Sequence, residues 1–405
     1  MPEPLGLGLT QAADARTEVA VTSQAPTASR SAILASYATT HLLVDAVCVT
    51  LVFSAVNAPL FGPAGTWALV VTYNVLTFGT QVFFGLLVDR WRMPRGSAAV
   101  GALIAASAVP LAEFSPALAI GLAGLGNALF HVGAGAVSLE LTPGRAAAPG
   151  IFVAPGHLGL VLGAAAGQSA PSLRWPLALL LVGACAVSAW PQTPSTEYRR
   201  PITAPRTRRL EFVLVLLLGA IVIRSLIGLT APFPWKTDVV LLATLAVAVT
   251  AGKALGGILA DRWGWLPVAL TALLASLPLL AFGSQTPSLA IAGMFLFQMP
   301  TAVALAAIAR LFPGKPAFSF GLSCLALMIG VIPAFTELKP VIGSQWPMFV
   351  LILAAATALG IGLRWLPRVA ANAPGHEAAG CLAPNKINHC PAAPPAPRAA
   401  APGAS

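Results

Sequence analysis

Twelve apolar runs, separated by short polar or turn-rich connections, constrain this 405-residue chain more than any other feature. They lie near 33–54, 66–88, 97–112, 117–139, 149–170 and 175–191, then 210–230, 238–258, 265–283, 288–309, 317–335 and 346–365. A helix that crosses the hydrocarbon core of a bilayer needs about 20 apolar residues. Most of the runs reach that length, and the third and sixth are short. Only 9% of the residues are charged, against about 25% in a soluble domain. A water-soluble globular fold is thereby excluded. The chain reads as an all-α polytopic membrane protein with twelve transmembrane helices.

The basic residues orient it. With both termini in the cytoplasm, 18 Lys and Arg fall in the inside segments. Three (Arg174, Lys236 and Lys339) fall in outside loops, and two (Arg224 and Lys253) within spans. This follows the positive-inside rule. The formal charge of +10 is therefore a topology signal. It forms no aromatic-interleaved basic patch, so no nucleic-acid partner is expected. The expected setting is the plasma membrane (a bacterial inner membrane), with the protein integral to the bilayer.

Residues 1–32 lack the pattern of a signal peptide and read as a mobile cytoplasmic tail. The Pro- and Arg-rich stretch 192–209 is a cytoplasmic central loop. It divides an N-terminal six-helix half, 33–191, from a C-terminal half, 210–365. Residues 366–405, rich in Ala and Pro, read as a disordered cytoplasmic tail.

Two connections repeat each other. The loop after span 2 reads Gly85-Leu-Leu-Val-Asp89-Arg90-Trp91, and the loop after span 8 reads Gly257-Ile-Leu-Ala-Asp261-Arg262-Trp263. Their aspartates are 172 residues apart, close to half of the membrane domain. Such spacing is expected of a transporter built from two repeats. Glycine permits close helix approach, and Asp followed by Arg can cap and pair at helix ends. Both loops resemble the signature loop of the major facilitator superfamily, G-x-x-x-D-R-x-G-R. The first departs from it at Arg92, where glycine is usual, and the second lacks the trailing basic pair.

Two shorter stretches, His41-Leu-Leu-Val-Asp45 and Gly126-Asn127-Ala128-Leu129-Phe130-His131, are similar to motifs of the fosmidomycin-resistance type of efflux protein. The resemblance implies two six-helix halves in an alternating-access fold, with helices 1, 4, 7 and 10 lining a central cavity.

Ionisable and strongly polar groups inside spans are costly and usually functional. His41 and Asp45, four apart, share a face of helix 1. Asn127 and His131 share a face of helix 4. Arg224 lies inside span 7 and Gln298 in span 10, so each cavity-lining helix carries a strong polar group. His157 sits in span 5. Structural roles fit the same residues: a packing-locking His41–Asp45 pair, a satisfied core histidine at His131, and Arg224 on a backbone carbonyl. Lys253 is expected to snorkel or pair near the cytoplasmic end. The Gly159-x-x-x-Gly163-x-x-x-Gly167 stripe reads as a close helix-packing surface.

Cys48, Cys185 and Cys324 sit in apolar runs as small hydrophobes. Cys381, Cys390, His376 and His389 in the tail match no zinc spacing. The chain shows no Walker loop, nucleophile elbow or metalloprotease signature. It therefore gives no indication of an enzyme, a cofactor or a resident metal.

Together these features point to a secondary transporter, acting as a monomer on a small polar molecule or drug and exporting it by proton antiport. Asp45 and His41 would handle the proton. His131, Asn127, Arg224, Gln298 and His157 would contact substrate. Gly85, Asp89, Arg90, Gly257, Asp261 and Arg262 would govern the conformational change. An importer of a small organic anion, anchored by Arg224, is the alternative on the same fold. A non-transporting sensor or assembly protein would place the same polar residues toward lipid.

Overall fold

The computed structural model describes residues 29–56, 62–189 and 208–370. The rest of both tails and of the central loop, with Cys381, Cys390, His376 and His389, lie outside the described residues. Every apolar run is helical. The first is α1 (Arg30–Val56). The second comprises α2 (Pro63–Asn74), a π-helical turn at Val75–Gly79, and α3 (Gln81–Trp91). Then come α4 (Pro94–Leu111), α5 (Pro116–Leu141), α6 (Ala147–Ser169) and α7 (Arg174–Ala189).

The second set opens with α8 (Arg208–Thr230), α9 (Val239–Trp263) and α10 (Trp265–Ala281). The tenth run is broken into α11 (Pro287–Gln298) and α12 (Thr301–Leu311). It is followed by α13 (Pro316–Val331), the short α14 (Lys339–Ile342) and α15 (Gln345–Ala370). No strand occurs among the described residues.

Several prolines mark helix starts. Pro63, Pro94, Pro116, Pro287 and Pro316 occupy first turns, where a missing N–H costs nothing. Pro300 instead breaks the tenth run, because it supplies no N–H to the preceding turn.

Among the described residues, ten helical stretches are long and apolar enough to cross a membrane by length and composition. The sixth run is one of them, as Pro171–Ser188, so it is less marginal than its sequence suggested. The ninth is the shorter one, with 17 residues at Trp265–Ala281, because Gly264 and Phe282 confine it. At 1.5 Å per residue that is about 26 Å, near the thickness of a thin bilayer. Phe83, Leu179, Val215 and Val239 are all more than 60% exposed, as lipid-facing side chains would be.

Buried apolar residues gather in two main clusters. One is built from α1, α2, α4, α5, α6 and α7, with Leu305, Phe320 and Cys324 reaching in from α12 and α13. The other is built chiefly from α8 to α13 and α15. Within the first cluster, α6 lies against α1 through its glycine stripe. A Cβ on Gly163 or Gly167 would come within 2.7 Å of the Ala46 or Thr50 carbonyl oxygen. Between the first six runs and the last six, α3 packs on α13 and α6 packs on α9.

Arg92 closes α3 in the left-handed conformation, at φ 55° and ψ 39°. Gly264 occupies the matching place after α9 at φ 99°. An L side chain costs about 1–2 kcal/mol there, which gives the signature's usual glycine a physical reason. Arg92→Gly should therefore stabilise the protein by about 1 kcal/mol. Thermal unfolding of the detergent-solubilised variant is the check, with a higher midpoint expected. A midpoint at or below the parent's would show that Arg92 holds contacts outweighing its backbone strain.

Candidate functional site

Half-way along α1 and α5, four polar side chains meet in the apolar interior. The period of the α-helix places His41 above Asp45 on one face of α1, and Asn127 above His131 on one face of α5. Packing of the two helices then joins the pairs. Asp45 lies with Oδ2 3.2 Å from His41 Nε2 and Oδ1 3.7 Å from His131 Nε2. Asn127 Nδ2 donates to Asp45 Oδ1 at 2.9 Å and reaches the Tyr73 hydroxyl at 3.4 Å. All four residues are buried, His131 being the most open at 8%.

The two rings are fixed from behind. His41 Nδ1 donates to the Phe152 carbonyl on α6, and His131 Nδ1 to the Asn127 carbonyl one turn back, each at 2.8 Å. Their Nε2 atoms face each other at 2.9 Å. Phe152 stacks on His41 with ring centroids 4.7 Å apart, and Phe320 of α13 lies 6.4 Å from His131. A carboxylate and two imidazoles thus converge in a site walled by aromatic rings.

A second polar group sits across the seam. Arg224 of α8 donates to the Phe297 carbonyl and the Thr301 hydroxyl, both at 2.8 Å. These atoms flank the break at Pro300, where the chain itself leaves hydrogen-bonding capacity over. Thr301 Oγ1 in turn donates to Gln298 Oε1 at 3.1 Å. Arg224 Nε, also buried, makes no hydrogen bond. Half-buried His157 and Lys253 approach the same seam from α6 and α9.

The two signature loops have matched surroundings. Asp89 accepts from the backbone N–H of Ala317 at 3.0 Å and of Phe318 at 2.8 Å, capping α13. Asp261 accepts from Ala146 at 2.8 Å and Ala147 at 2.9 Å, capping α6, and from Trp265 Nε1 at 3.1 Å. Each cap runs from one set of six to the other. Gly85 and Gly257 make this possible, since a Cβ on either would collide with the Ala317 or Ala146 backbone. Arg310 adds to the second contact by donating to the Gly144 carbonyl and by lying 3.8 Å over the Trp265 ring.

The capped helices follow turns that also repeat. Pro143-Gly144-Arg145 precedes α6 and Pro313-Gly314-Lys315 precedes α13, 170 residues apart. Both glycines have positive φ, 75° and 74°. This second repeat is a sequence signal for the paired turns before the capped helices, though not for which aspartate meets which helix.

A cavity of about 850 Å³ opens at the opposite end, lined in part by Phe233, Lys236, Ser284, Lys339 and Trp346. It shares no residue with the His41–Asp45–His131 group. Trp67 and Phe335 also meet at that end, edge to face at 5.1 Å.

No known protein family matches the sequence, and no curated protein does. Solved structures do match. FucP, a major facilitator superfamily transporter in its outward conformation, superposes with a TM-score of 0.58 at 13% identity, covering 82% of this chain and 98% of its own. The human organic anion transporter MFSD10 gives 0.60 at 14% identity, covering 85% and 100%. A bacterial homologue of the iron transporter ferroportin, in an outward-facing state, gives 0.52 at 13%, covering 84% and 99%. Helix order, paired signature loops and these superpositions agree: the chain has the fold of the major facilitator superfamily transporters.

Proposed function

We propose that the protein is a secondary active transporter that exports a small polar molecule or drug in exchange for protons, working as a monomer in the plasma membrane. The observation that carries the reading is the buried carboxylate of Asp45 between His41 and His131. An ionisable cluster at the midpoint of two membrane helices is costly, and such groups usually mark substrate or proton pathways. Asp45 and His41 handle the proton. His131, Asn127, Arg224, Gln298 and His157 face the substrate path between the six-helix halves 33–191 and 210–365. Burial of the group inside the bundle disfavours the sensor alternative, which would place it toward lipid. The fold also carries the E. coli fucose:proton symporter and an organic anion transporter. The cationic seam of Arg224 and Lys253 favours an anionic substrate, so import of an organic anion stands as the second reading.

The signature-loop end is assigned to the cytoplasm, because the Arg-rich segments lie there. With both aspartate caps in place that end is closed, which corresponds to an outward-facing state. Two measurements test the proposal. A reporter fused after Arg209 or after Ser405 should register as cytoplasmic, and an external signal from either would overturn the orientation. A protein-dependent flux in reconstituted vesicles, screened over antibiotics, phosphonates and organic acids, should quicken when a pH gradient is imposed. A flux indifferent to that gradient would remove proton coupling.

A further inference from the structure

We infer that His41, Asp45 and His131 form a binding site for a divalent first-row transition-metal ion. The inference shares these residues with the transport reading but does not rest on it.

The hydrogen-bond directions lead to it. A carbonyl oxygen can only accept, so both Nδ1 atoms carry hydrogen. In the neutral rings both Nε2 atoms therefore present lone pairs, and these face each other at 2.9 Å beside a carboxylate. Such an arrangement repels itself unless a cation lies among the three donors. A shared proton satisfies it, and so does a metal ion, which would compete with that proton.

The spacing fits an ion. Two ligands about 2.1 Å from one metal, at ordinary coordination angles, lie about 3.0–3.4 Å apart. Here the two Nε2 atoms are 2.9 Å apart, and the carboxylate faces them with both oxygens, Oδ2 at 3.2 Å from His41 and Oδ1 at 3.7 Å from His131, so that one ligand atom from each residue lies within 4.8 Å of the others. Each ligand is also oriented from behind, as metal-bound groups usually are: both imidazoles by backbone carbonyls, the carboxylate by Asn127. Gly156 lets α6 lie directly against the donors, since a Cβ there would collide with His41 Nε2 and come within 2.8 Å of Asp45 Oδ2. Two imidazoles and one carboxylate select the Fe, Co, Ni, Cu and Zn class over Mg²⁺ or Ca²⁺, which prefer all-oxygen sites.

The test uses the full chain in detergent, with His376, His389, Cys381 and Cys390 replaced so that the tail cannot bind metal. Equilibrium dialysis against Co²⁺ or Zn²⁺ should give close to one ion per chain, and Mg²⁺ none. His41→Ala and His131→Ala should abolish it. Asn127→Ala, which removes only the orienting bond, should weaken it about 10–100-fold. X-ray absorption of the zinc-loaded parent keeps the test independent of whether the variants fold, and should show two imidazole nitrogens among the ligands. No bound ion in the parent, no imidazole in the zinc shell, or undiminished binding in folded His41→Ala and His131→Ala would overturn the inference. Metal bound by a protein that moves no substrate would sink the transport reading alone. Proton-driven transport without metal binding would sink this one alone.

Discussion

Asp45→Asn should leave a folded protein whose transport no longer responds to a proton gradient. The amide is nearly the same size as the carboxyl, and the local geometry lets it keep both contacts. Its oxygen can accept from Asn127 Nδ2, and its N–H can donate to His41 Nε2, where Asp45 Oδ2 now lies at 3.2 Å. It cannot gain or lose a proton. Complete loss of gradient acceleration, with substrate binding retained, is the expected result in reconstituted vesicles. Asp45→Leu should behave differently. It leaves the Asn127 amide without its charged acceptor and two lone-pair nitrogens facing a hydrocarbon. Removing one member of such a buried polar set costs about 3–5 kcal/mol, and low yield should follow. A well-expressed Asn variant that still responds like the parent would show that Asp45 only locks α1 against α5. His41, His131 and His157 would then be the remaining candidates for coupling.

Removing both helix caps should shift the conformational equilibrium away from the state in which the signature-loop end is closed. Asp89 and Asp261 each satisfy two N–H groups at the start of a helix in the opposite half. Loss of a cap typically costs about 1 kcal/mol. These two caps exist only while the signature-loop end is closed, so their loss should act on that state alone. For Asp89→Ala with Asp261→Ala, about 2 kcal/mol corresponds to roughly a 30-fold change in the ratio of states. Spin labels on Trp91→Cys and Lys315→Cys, in a background free of the native cysteines, report the distance across this end. The double variant should show a larger population at long distance and altered turnover, with substrate binding retained. An unchanged distance distribution and unchanged turnover would remove the caps from the mechanism.

Much of the architecture is legible along the chain, because a bilayer imposes a length and an apolarity that each span must meet by itself. The twelve runs, the alternating basic loops and the repeated Asp-Arg-Trp strings are all local properties. So is the pairing of His41 with Asp45 and of Asn127 with His131, since a helix places residues four apart on one face. The ninth span and the π turn at Val75–Gly79 were harder to read. Neither has a periodicity or composition signal that sets it apart from its neighbours.

Sequence alone thus determines that this is a membrane-embedded helical bundle with polar residues at the middle of its spans. What those residues do to each other is decided by packing. Sequence placed His131 on the same face of its helix as Asn127, and the crossing of α1 and α5 brings its Nε2 to 2.9 Å from that of His41. The two histidines are 90 positions apart, and nothing local to either helix specifies that distance. Arg224 was legible as a buried cation, but its partners, the Phe297 carbonyl and the Thr301 hydroxyl, flank a break at Pro300 in another helix. The signature aspartates were likewise visible, and their targets were not. Asp89 caps a helix that begins 227 residues later, and Asp261 one that begins 114 residues earlier. Backbone N–H groups look alike in every sequence, so only the approach of chains across Gly85 and Gly257 selects which of them each carboxylate meets.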